Sequence, residues 1–190
     1  MERLAKHDKE VSDLMESEKF LSRIMKEITK KVEGEEDTCE AIFLHLSCAW
    51  VKNTTSLPNV FVNSESSSGK SYICKQIINI FPEEMYIYRT KITPEAFTYW
   101  HNTRKDENWN WDGKIFYLED VRDEITNSST FKVMASEGSV ATVVIKQRAI
   151  DIEIKGTPII MVTTASALPT SEVINRFSII NLDETPEQTK

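Results

Sequence analysis

Apolar residues recur at three- and four-residue steps through the first part of the chain. Leu14, Leu21, Ile24, Met25, Ile28 and Val32 fall on one face of a helix. Ser17 is a candidate N-cap, which leaves the first fifteen residues as a separate, frayed helix. Gly34 and the acidic run over residues 33–37 break the pattern. A second helix is predicted over residues 38–53, with Ile42, Phe43, Leu46 and Trp50 on one side, and Pro58 closes the connection.

From Val60 the period changes. Val60-Phe61-Val62 reads as a short buried strand, followed by a serine-rich loop and a helix from Tyr72 to Ile80 that Pro82 ends. Residues 85–90 form a second strand, and Pro94 opens a helix through Trp100. A polar loop over 101–113 carries two tryptophans. The run over 114–120 is a third strand of continuous apolar character, as expected where helices cover both faces of a sheet. A helix over 130–138 follows, then a β-hairpin over 139–156, a fourth core strand over 157–164, a short helix over 171–177 and a fifth strand over 178–184. Alternation of helix and strand predicts an α/β architecture.

Composition narrows the class. A chain of 190 residues, 40% hydrophobic, is sized for one core. Its apolar runs are far shorter than the roughly 20 residues of a membrane span, and charged residues crowd the N-terminus. The expectation is a soluble cytoplasmic protein with no membrane partner. Cys39, Cys48 and Cys74 share no metal-ligand spacing and read as buried small hydrophobes. A net charge of −7 argues against a general nucleic-acid coat, yet leaves room for a local basic element.

Candidate chemistry begins with the serine loop. A strand, a tight loop and a helix opening on Lys-Ser put backbone N–H groups and a helix N-terminus around an anion. Ser64 stands where the phosphate-loop pattern has its first glycine, while Gly69 keeps the second. Ser64, Ser66, Ser67, Ser68, Gly69, Lys70, Ser71 and Tyr72 are the candidate nucleotide-binding residues. Lys70 would reach the β- and γ-phosphates of ATP, and the Ser71 hydroxyl would hold Mg²⁺. The third strand ends in Glu119-Asp120, with Glu119 assigned to the metal and Asp120 to the attacking water. Thr163-Thr164 ends the fourth strand, where a hydroxyl can orient that water; Thr164 is the candidate. Arg176, between a short helix and the last strand, is either an arginine finger for a neighbouring copy or a helix cap. Lys146 and Arg148 project at the hairpin tip, as suits the phosphates of a DNA strand or a solvated turn.

Laid end to end, "SSSGKSY", "FYLED", the basic hairpin, "GTPIIMVTTAS" and "PTSEVINRFSIINLDETPEQT" resemble the AAA+ ATPases. The closer resemblance is to the helicase domains related to the minichromosome maintenance proteins, in particular the primase-associated modules of phages, plasmids and mobile elements. The resemblance implies a five-stranded parallel sheet in the order 5-1-4-3-2, with the hairpin inserted before strand 4. It implies residues 1–32 as an N-terminal helical segment and 33–190 as an AAA+ core without its C-terminal helical lid. It also implies a hexameric ring of identical copies hydrolysing ATP at their interfaces, with the hairpin gripping single-stranded DNA in the channel. Arg176 matches the finger, Thr163 or Thr164 the sensor, and residues 32–35 the stretch against the adenine. The alternative is a clamp, loader or remodelling ATPase acting on a protein partner; a small-molecule kinase is disfavoured for want of arginine clusters.

Overall fold

Strands with no polar position, such as the run from Ile115 to Leu118, require cover on both faces of their sheet, and the computed structural model supplies it. It describes residues 9, 11–32, 34–51, 57–63, 69–100, 109–136, 139–146, 148–164 and 170–182. The strands are β1 (Asn59–Asn63), β2 (Tyr86–Arg89), β3 (Ile115–Leu118), β4 (Ser139–Ile145), β5 (Arg148–Ile154), β6 (Ile159–Thr164) and β7 (Phe177–Asn181). Five of them form one sheet in the order β2-β3-β6-β1-β7, every pair parallel. β4 and β5 make an antiparallel hairpin of their own. The hairpin takes two strand numbers, so the fourth and fifth core strands are β6 and β7. The arrangement is the predicted 5-1-4-3-2 under different numbers.

The helices are α1 (Phe20–Thr29), α2 (Glu36–Ser47), α3 (Lys70–Ile78), α4 (Ala96–Tyr99), α5 (Asp123–Thr126), α6 (Ser129–Met134) and α7 (Ser171–Ile174). Side chains of successive strand residues alternate between the faces. Val60, Val62, Ile115, Tyr117, Ile159 and Met161 pack with Ile28 of α1, Cys39, Ile42 and Leu46 of α2, and Ile73, Cys74 and Ile77 of α3. Phe61, Phe116, Leu118, Ile160 and Val162 pack on the other face with Phe97, Trp111, Phe131, Met134 and Ile154. Each large side chain removed from water in these layers contributes about 1.5–3 kcal/mol. α1 thus shares the core of the sheet's first face. Among the described residues, no helix is long and apolar enough to cross a membrane.

Three of the differences from the sequence reading have a local physical cause. Residues 11–15 are helical, and the next helix, α1, starts at Phe20, because Ser17 accepts the Lys19 N–H in a turn (3.1 Å) instead of capping it. Part of the acidic run joins α2: Gly34 turns the chain at φ +80°, and Glu36 and Asp37 then sit in the first helical turn, where the helix dipole favours negative charge. Trp50 is 52% exposed, since α2 gives way to a 3₁₀ turn over Cys48–Trp50; its ring still lies 5.3 Å from that of Phe81.

Asn59 knits the start of the sheet. It is buried, its amide donates to the carbonyls of Ala135 (2.7 Å) and Arg176 (3.3 Å), and its side-chain oxygen accepts the Ile160 N–H at 2.9 Å. One side chain therefore joins β1, β6, the end of α6 and the entry to β7. Asn59→Ala strands these buried groups and should lower stability in urea by about 2–4 kcal/mol. Asn59→Asp, which keeps the acceptor and loses the donors, should recover less than half of that.

Candidate functional site

Parallel pairing brings the strand ends of interest to one edge of the sheet. Asn63 at the end of β1 stands opposite Thr164 at the end of β6, and Leu118 of β3 stands opposite Val162. Ser64, Ser66, Ser67 and Ser68 lie outside the described residues. The chain is described again from Gly69, the N-cap of α3, at φ +79°. Among the described residues other than its chain neighbours, no heavy atom lies within 4 Å of where a Cβ would stand there. Glycine is needed for the left-handed turn. The first helical hydrogen bond runs from the Ile73 N–H to the Gly69 carbonyl (3.0 Å). The N–H groups of Lys70, Ser71 and Tyr72 precede it and carry the positive end of the helix dipole. Lys70 is only 8% exposed and Ser71 half-buried, while Tyr72 is exposed.

The acidic strand end is held from both sides. The Glu119 N–H donates to the Arg89 carbonyl (2.9 Å), continuing the ladder to β2. Its carboxylate accepts from Lys75 Nζ at 3.0 Å through Oε1 and from the Tyr88 hydroxyl through Oε2. Asp120 adopts the left-handed conformation at φ +51°, unusual for a non-glycine residue. Thr163 pins that turn: its Oγ1 accepts the Asp120 N–H (3.0 Å), and its carbonyl accepts the Val121 N–H (3.0 Å). The Asp120 carboxylate itself is exposed.

Strand alternation sends the two threonines to opposite faces. Thr163 follows Ile159 and Met161 onto the face covered by α3, whereas Thr164 follows Ile160 and Val162 onto the other. The Thr164 hydroxyl donates to the Val121 carbonyl at 3.4 Å. Thr163 and Ser71 are both near enough to the Tyr117 phenol to affect its ionisation. The Tyr117 hydroxyl is fully buried and, among the described residues, has no hydrogen-bond partner of good geometry. The left-handed glycine, the first-turn N–H groups of α3, Lys70 and the Ser71 hydroxyl fit a nucleotide phosphate with its metal ion.

Arg176 and the hairpin lie elsewhere. Arg176 immediately precedes β7, at the sheet edge opposite the loop. Asn59 and Asn63 are four strand steps apart, so about 13 Å separates the two edges. Its guanidinium donates to the Lys132 carbonyl (2.9 Å) and to the Ser136 hydroxyl, capping the C-terminus of α6 in its own chain. It therefore cannot serve its own phosphate loop. At the hairpin, Ile145 pairs with Arg148 across a two-residue turn, and Lys146 takes φ +49°, as a tight hairpin requires. Lys146 and Arg148 are exposed, while Ile152 and Ile154 are buried at the base. That base is tied down by the Trp111 N–H to the Lys155 carbonyl (2.8 Å) and the Thr157 N–H to Asp112 (3.1 Å). Gly156 belongs to the same seam: a Cβ there would lie 2.7 Å from the Asp112 backbone nitrogen.

The sheet, the αL glycine opening a helix on Lys-Ser and the acidic strand end beside it define a P-loop domain of the nucleotide-binding NTPase class. Residues 5–190 match the family described as the MTBMA_p00010 P-loop domain, and the chain belongs to that family. No curated protein matches the sequence. Sequence reasoning missed Lys75, Tyr88 and Tyr117. The spacing of Lys75 four residues after Ser71 was the only signal for any of them.

Burial pushes the Cys74 thiol from an ordinary 9.0 up to about 12 and that of Cys39 up to about 11; burial likewise raises the Tyr117 phenol, with Cys74 beside it. The unfolded chain releases these protons first. Stability is therefore complete below about pH 9 and falls as pH rises from there through the folded-state values. Each group costs up to about 1.4 kcal/mol per pH unit while only the unfolded form is ionised. Melting temperature should decline steadily above pH 9, and Cys74→Ala or Tyr117→Phe should make the decline shallower. An unchanged slope in both variants would contradict the assignment.

Proposed function

We propose that this chain is the ATP-hydrolysing motor domain of a DNA helicase or translocase that serves the replication of a mobile element. In this reading it works as a ring of identical copies. The observation that carries the reading is the hairpin: a separate two-stranded unit, anchored at its base, that presents Lys146 and Arg148 in solvent. Two exposed cations at the end of a two-stranded ribbon can follow the phosphates of a single strand while the body stays acidic.

The residues divide the chemistry as follows. The first-turn N–H groups of α3 and Lys70 receive the β- and γ-phosphates, and Ser71 and Glu119 hold the metal, Glu119 through water. Mg²⁺ would neutralise charge that develops on the transferred phosphoryl group. Asp120, exposed at a turn fixed by Thr163, accepts the proton of the water that attacks the γ-phosphorus. The bond from the γ-phosphorus to the β–γ bridging oxygen breaks, ADP leaves with that oxygen and its electron pair, and the water oxygen stays on the released phosphate. Arg176 lies at the wrong edge for its own loop, which supports a role at a neighbouring copy's site once it leaves its cap on α6. A second reading, a remodeller of protein partners, draws support from Val144 and Ile150 on the hairpin, 74% and 42% exposed.

The test is the ATPase rate per chain as a function of protein concentration, with and without single-stranded DNA. The motor reading expects a rate that climbs with concentration and rises again with DNA. Lys146→Ala with Arg148→Ala should remove the DNA response and lower the salt slope of DNA binding by about 2. A concentration-independent rate would sink the shared site, and DNA stimulation that survives the double variant would favour the protein remodeller.

A further inference from the structure

The Glu119 carboxylate is already engaged on both oxygens, by the Lys75 ammonium at 3.0 Å and by the Tyr88 hydroxyl. Lys75 lies one turn of α3 beyond Ser71, so their Cβ atoms are about 5–6 Å apart. Its ammonium also stands over the Tyr88 ring, 5.3 Å from the centroid. Tyr88 is opposite Tyr117 in the β2–β3 register, with ring centroids 5.2 Å apart, so two paired strands brace the group. The Glu119 side chain is 12% exposed and that of Lys75 42%. A pair with one member this far from water is weakly screened, and its charge is felt at the metal position.

We infer that Lys75 is the resident counter-cation of Glu119, holding the carboxylate that a divalent ion would otherwise take, and that it makes the metal bind with the nucleotide instead of ahead of it. The inference rests on the nucleotide site proposed above. A carboxylate neutralised by an ammonium attracts a bare divalent ion less, and the ammonium itself repels that ion. The phosphates of a nucleotide add enough negative charge to reverse the balance. Lys75 can then swing toward solvent while keeping the face of Tyr88, with no repacking of the buried layer. Lys75 is on this account a positioning residue that acts through Glu119.

The test titrates Mn²⁺ into the folded chain by electron paramagnetic resonance, first alone and then with a non-hydrolysable ATP analogue. Lys75→Met keeps the aliphatic stem and should bind Mn²⁺ alone about tenfold more tightly than the parent. Lys75→Arg should match the parent, and Tyr88→Phe should stay nearer the parent than Lys75→Met. With the analogue present, the gap between Lys75→Met and the parent should shrink. Lys75→Gln serves the same comparison if Lys75→Met does not melt cooperatively. Unchanged or weaker Mn²⁺ binding by the uncharged variants, with the parent binding Mn²⁺ and analogue normally, overturns the counter-cation role alone. A parent that binds neither overturns the nucleotide site and this inference together.

Discussion

Parallel pairing of β6 between β1 and β3 is the constraint on which everything else in this protein depends. Val60 aligns with Met161 and Leu118 with Val162, so three strands finish at one edge within a residue or two of each other. Described residues at or after those strand ends meet at that edge: Asn63 at the end of β1, Glu119 and Asp120 after β3, Thr163 and Thr164 at the end of β6. A shift of one residue would exchange the two faces of β6. Thr163 would then leave α3, and the Asp120 turn would lose the hydroxyl that fixes it. The same register carries Arg176 to the far edge, where it caps α6 of its own chain and lies away from the head of α3.

The site is assembled from charges that the rest of the molecule has already partly balanced. Lys70 is nearly buried at the head of α3, Lys75 is paired with Glu119, and Asp120 is left exposed. Thr163 has two tasks, accepting the Asp120 N–H and standing beside Ser71 at the buried Tyr117 hydroxyl. A left-handed aspartate costs about 1–3 kcal/mol and persists where its surroundings hold it. Here the threonine hydroxyl and the threonine carbonyl, on adjacent turn N–H groups, do so.

The strands were legible because they are short apolar runs bounded by breakers, and their order in the sheet followed from the resemblance to the AAA+ ATPases. The phosphate loop was legible from its neighbours, strand before and helix after, since Ser64 departs from the usual glycine. Helix ends were not: Glu36 and Asp37 resemble a breaker until the dipole of α2 is considered, and Trp50 looked like core because the helix was read one turn too long. The partners of Glu119 were hidden for a different reason. Tyr88 meets it only through the β2–β3 register, and no local pattern reports such a contact. Arg176 is the same case, since its acceptors on α6 are about forty residues away in sequence. Between Thr163 and Thr164 the choice needed the facing of β6, which a strand covered on both sides does not reveal.

Whether the αL turn at Gly69 and the Lys70-Ser71 helix start receive a nucleotide is the claim beneath all the others. The direct measurement is a titration with a fluorescent ATP analogue in Mg²⁺, on the parent chain and on Lys70→Met, each shown by its melting curve to be folded. The account predicts saturable, Mg²⁺-dependent binding to the parent and at least a tenfold loss in Lys70→Met. Equal affinity in the two folded proteins, or no binding to either, would contradict it.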